Sequence, residues 1–73
     1  MMTRAEHLDW AKKRALEYLD AGDIRNAYGS MISDLRKHPE LEDHLAIELS
    51  LMLLLGGHLS TDFQMRNWIE GFN

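Results

Sequence analysis

The chain has no cysteine, a single proline, no apolar run longer than five residues, and almost no positive charge in its second half. Without cysteine there is no disulfide framework and no thiolate zinc site, which fits a reducing cytoplasm. The longest apolar run, Leu51 to Leu55, falls far short of the ~20 residues that span a bilayer. The opening "MMTRAEHLDW" lacks the apolar segment of a secretory signal. A cytoplasmic setting with no membrane partner is therefore expected. Residues 1–39 hold seven Lys/Arg against six Asp/Glu, whereas residues 40–73 hold one against six. Such an acidic chain repels a phosphate backbone, so nucleic acid is not an expected partner. The basic cluster Lys12 to Arg14 reads as a solvated helix face.

What the chain does have is helix-forming pattern. With 45% hydrophobic and 27% charged residues, it suits a single small globular domain, residues 1–73, near the lower limit for folding alone. The expected fold is all-α, a compact bundle of four short helices that starts with a helical hairpin. Thr3 followed by Glu6 is a capping-box pattern and opens a helix to about Asp20, with Ala5, Leu8, Ala11, Ala15 and Leu19 as its buried stripe. Gly22 suits a left-handed C-cap and Asp23 an N-cap. The second helix carries Ile24, Ala27, Tyr28, Met31, Ile32 and Leu35 at helical spacing and ends near His38, before Pro39.

Pro39 suits the first position of a third helix reaching Leu55, with Glu40, Glu42 and Asp43 near its positive end. Ile47, Leu49 and the run Leu51–Leu55 make that helix apolar almost all round, and such a helix must be covered. Either it is the central helix of the domain or part of it meets a second copy, so a homodimer is an expected state. Gly56 or Gly57 ends it, His58 and Leu59 form a connector, and Thr61 with Gln64 caps a fourth helix. Met65, Trp68, Ile69 and Phe72 line one face of that helix.

Little in this pattern suits catalysis. The histidines (His7, His38, His44, His58) show no i, i+3 or i+4 pair of the kind that shares a metal on a helix face, so neither metal nor cofactor is expected. Ser30, Ser33, Ser50 and Ser60 lie in or beside helices with no strained elbow to present a nucleophile. Helix 4 offers Thr61, Gln64, Arg66 and Asn67, which can read base edges, but it lacks cations for phosphate. Two features stand out instead. Ser30, Asp34 and His38 follow at i, i+4, i+8, and Asp34 falls on the border of the apolar stripe. Burying even a neutral polar group unpaired costs ~2–7 kcal/mol, so Asp34 wants donors, expected from His58 or the N–H groups opening helix 4. This group reads either as a structural staple or as a ligand site. Trp10 projects opposite the apolar stripe, where an aromatic is often a contact residue.

Taken together, "LEYLDAGDIRNAYGSMISDLRKHPE", "LLLGGHLST" and "IEGFN" resemble a set of small hypothetical proteins of tailed bacteriophages and prophages. The likeness runs from about residue 8 to Asn73, and "SMISDLRKHPE" with "GGHLST" is its most distinctive part. The group has no established activity, so no catalytic residue carries over. It implies a phage accessory protein in the bacterial host cytoplasm and draws attention to Ser30, Asp34, His38, His44 and His58. The chain departs from the group at "HLAIELSLMLLLGG", where the group often has a proline after the histidine and a glycine further on. The expected function is non-enzymatic binding of a host or phage protein, such as a defence factor. A second expectation is binding of a small nucleotide-like signal around Asp34, His38 and His58.

Overall fold

Both capping boxes read from the sequence form. In the computed structural model, which describes residues 2–72, the Thr3 hydroxyl accepts the Glu6 N–H while the Glu6 carboxylate accepts the Thr3 N–H. They open α1, Arg4–Asp20. Thr61 and Gln64 do the same for α4, Asp62–Glu70. Between them lie α2, Ile24–Leu35, and α3, Leu45–Leu55, and no strand occurs among the described residues. The fold is thus an all-α bundle of four helices. Asn73, the end of the "IEGFN" piece, lies outside the described residues, as does Met1 of the opening segment.

Left-handed glycines end α1 and α3. Gly22 has φ +80° and Gly57 φ +79°. In each case the next residue's N–H reaches back five positions, Asp23 to Tyr18 O and His58 to Leu53 O, while the glycine itself bonds Leu19 O or Leu54 O. These are Schellman endings, which satisfy the last carbonyls of each helix.

One apolar cluster joins the elements. It takes Leu8, Ala11, Ala15 and Leu19 from α1, Ala27, Met31 and Leu35 from α2, and Met65 and Ile69 from α4. Leu41 and Leu59 plug it from the connectors. The small alanines let α1 and α2 approach as the tightest-packed pair, and α4 lies across both. Ala5 is exposed and does not extend the α1 stripe; His7 is the buried residue at that end. The accessible surface is 4681 Å², against roughly 4,650 Å² for a folded monomer of this mass. The chain is therefore as condensed as an average folded monomer of its mass.

The middle of the chain departs from expectation. α2 stops at Leu35, three residues short of His38, and α3 begins at Leu45 instead of Pro39. Residues 36–43 are turns, in which the N–H groups of Leu41 and Glu42 both bond His38 O. This tight turn drives Leu41 into the core, fully buried, a position that a straight helix from Pro39 would not supply. α3 then starts afresh from His44, whose Nδ1 accepts the Ala46 N–H. Nor is α3 the central helix: it lies at the edge and packs least against the others.

Candidate functional site

The polar group read from helix 2 does assemble, but with different partners. Asp34 is 1% exposed, deeper than the border position expected. One carboxylate oxygen receives Arg14 Nε at 2.8 Å and the Ser30 hydroxyl at 3.4 Å; the other receives Lys37 Nζ at 3.2 Å. The "GGHLST" connector supplies none of these donors. The reason is topological: α1 runs beside α2, so Arg14 reaches Asp34, whereas the connector lies beyond the far end of α3. The basic cluster is correspondingly more than a solvated face. Arg14 holds Asp34, and Lys12 donates to the carbonyls of Glu70 and Phe72 at the end of α4. Lys13, paired to Asp9 at an exposed site, is the member of the cluster that lies on a solvated face.

Trp10 belongs to this same cluster. It is half-buried against the core, not projecting free. Its ring lies 5.1 Å from that of His7, with the Arg14 guanidinium 4.9 Å from its centroid and Lys37 Nζ at 5.8 Å. The cations that neutralise Asp34 therefore also sit against the Trp10 ring, an arrangement favoured by its quadrupole. His7, which sequence pattern did not single out, donates from Nε2 to the Asp34 carbonyl at the end of α2, where helix carbonyls lack partners.

The other histidines act on the backbone. His38 is buried; its Nδ1 accepts the Glu40 N–H and its Nε2–H donates to Met2 O, tying the N-terminal segment to the turn. This pairing assigns the proton to Nε2. His44 is the N-cap of α3, and its ring lies 5.1 Å from Phe72. His58 is exposed, with its ring folded toward Gly56. Ser30, Asp34 and His38 therefore share one end of the α1–α2 pair, while His44 and His58 serve opposite ends of α3. Among the described residues, no group of three His, Asp or Glu side chains is placed to hold a metal ion.

A different surface is conspicuous for its chemistry. Every leucine of α3, with Met52, is at least 37% exposed, and Leu55 reaches 80%. Only Ile47 and Ser50 are buried on that helix. Ser50 bonds Ile47 O and the Tyr28 hydroxyl, which fixes α3 to α2 along one narrow line. Phe63, at the start of α4, is 74% exposed. Large apolar side chains in this exposure range offer on the order of 100 Å² each. Summed over the seven α3 side chains, this exceeds the roughly 300–600 Å² of the largest patch on a typical monomer. They approach the roughly 800 Å² that each partner contributes to a standard interface.

A groove of about 320 Å³ lies between α2 and α3, lined by Tyr28, Ile32, Arg36, Ile47, Glu48 and Leu51. It leaves room for a large apolar side chain. No helix among the described residues is long and apolar enough to cross a membrane, so α3 is not a spanning segment. Arg66, the lone Lys or Arg of residues 40–73, is already engaged: its guanidinium donates to the Asp62 and then the Asp20 carboxylate, which raises its pKa further. No protein-family model, curated protein or solved structure matches the chain.

Proposed function

We propose that this chain is a non-enzymatic accessory protein of phage type that acts in the bacterial cytoplasm by binding another protein through α3. The exposed leucine face of α3, on a chain otherwise as condensed as a monomer of its mass, carries this reading. Exposed apolar area on that scale marks an interaction surface. The resemblance of "SMISDLRKHPE" and "GGHLST" to phage and prophage proteins supports the setting, since phages use small stoichiometric binders that need no cofactor. The polar cluster lends less support to a small-molecule reading. Asp34 spends its carboxylate on Arg14, Lys37 and Ser30, and His38 spends both ring nitrogens on backbone groups.

The test is a native mass spectrum of the tagged chain purified from a bacterial host, beside Leu49→Gln/Met52→Gln purified in parallel. A polypeptide that accompanies the parent chain and is lost from the variant is expected. A bound small mass that persists in both would replace this proposal with the ligand-binding one.

A further inference from the structure

Resting on that protein-binding reading, we infer that the occupant of the α3 face is a cationic amphipathic helix of a partner protein, not a second copy of this chain. Leu45, Leu49 and Met52 follow at i, i+4, i+7 and stand on the side of α3 opposite buried Ile47, each at least 47% exposed. This is the stripe that a single partner helix covers, read as i, i+4, i+7 contacts. At 1.5 Å per residue, α3 offers a track of roughly 16 Å.

Charge decides between the occupants. Glu48 is the only charged residue of α3, and Glu40, Glu42 and Asp43 stand in the turn that leads into it. All four are exposed, and none forms an ion pair among the described residues. Arg36 is the one cation lining the groove, across from Glu48. A second copy packed parallel would set four further carboxylates against these, and one packed antiparallel would set them beside the uncharged Leu51–Leu55 end, in neither case against a cation. Lysines or arginines flanking an apolar helix face would meet those carboxylates and speed encounter.

The probe is a fluorescent synthetic helix about four turns long, with leucine on one face and lysine on the other, compared with its leucine/glutamate counterpart. Anisotropy titration of the full chain is expected to show the lysine peptide bound at least about tenfold more tightly. The preference should shrink as salt rises from about 0.1 to about 1 M, which shortens the Debye length from about 10 to about 3 Å. Glu42→Lys/Asp43→Lys/Glu48→Lys should abolish the preference. Leu49→Gln, which leaves the charge unchanged, should weaken the lysine peptide roughly tenfold; mere attraction between opposite charges would not respond. Absence of binding, equal affinity for both peptides, or indifference to Leu49→Gln overturns the inference. So does a dimer in sedimentation equilibrium that Met52→Gln dissociates, or cosedimentation with phosphatidylcholine vesicles that Met52→Gln removes. If the polypeptide from the host depends on Leu49 but not on Glu42, Asp43 and Glu48, protein binding stands and the cationic chemistry fails.

Discussion

Asp34 and its neighbours show how one buried carboxylate organises an end of the molecule. A buried charge that loses its partner costs far more than an exposed pair is worth. Arg14 and Lys37 keep 46% and 57% of their side chains exposed, so water can solvate them when Asp34 is removed, whereas Asp34 has no such recourse. Arg14→Ala should therefore destabilise more than Lys37→Ala, by about 2–3 kcal/mol in urea unfolding, because Lys37 alone cannot replace the 2.8 Å contact. Asp34→Asn should cost less than Arg14→Ala, since it removes the stranded charge along with the pair. Trp10 follows the same logic. As a free contact residue its truncation would leave stability within roughly ±0.5 kcal/mol. Half-buried between His7 and Arg14, it should cost about 1–2 kcal/mol on Trp10→Ala, below the ~3–5 kcal/mol of a fully buried tryptophan. Asp34 was legible as a residue needing donors because its register on helix 2 borders the apolar stripe. Arg14 was not, since which face of α1 meets α2 depends on crossing geometry that the periodicity of either helix leaves open.

Helix ends were the most legible elements, because their chemistry is local. Thr3/Glu6, Asp23, Gly22, Gly57 and Thr61/Gln64 each work through backbone groups within five residues. The turn before α3 was not legible, because its cause is distant: burial of Leu41 in a core built by the other helices outweighed the suitability of Pro39 as a helix start. The caps lend themselves to two comparisons. Gly57 has φ +79° and open space where a Cβ would stand, while Gly56 has an ordinary φ and a Cβ position 3.0 Å from His58 Cδ2. Gly57→Ala should cost about 1–2 kcal/mol of backbone strain, and Gly56→Ala less, since the exposed His58 ring can swing away; thermal unfolding of both variants checks the order. The two capping boxes differ in charge. Accepting the Thr3 N–H holds the Glu6 carboxyl below its usual 4.5, so its contribution is complete above that value and lost as pH falls through the depressed pKa. Gln64 cannot titrate. Amide exchange or chemical shifts followed from neutral pH to below 4.5 should show the start of α1 fraying while the start of α4 holds, and Glu6→Gln should remove the difference.

At the scale of the whole molecule, α3 makes the chain two things at once: a core built from α1, α2 and α4, and an apolar helix fixed to its edge through Ile47, Ser50 and Tyr28. Sequence pattern showed that α3 is apolar nearly all round and needs cover; it offered a central position or a second copy. The central position fails because Leu41 and Leu59 already plug the core from the two connectors, leaving α3 no interior to enter. What covers it is a property of a second molecule, which no pattern within the chain can encode except through the charges around the face. This division sets an expectation for stability. Leu49 and Met52 are 47% and 70% exposed, so Leu49→Gln and Met52→Gln should each leave the free chain within roughly ±0.5 kcal/mol of the parent. Ile47, 5% exposed on the opposite side of the same helix, should cost about 2–5 kcal/mol on truncation to alanine. Equilibrium urea unfolding of the three variants separates the cases. Were α3 a core helix in solution, all three would be costly together; an interaction helix held at the edge makes only Ile47→Ala so.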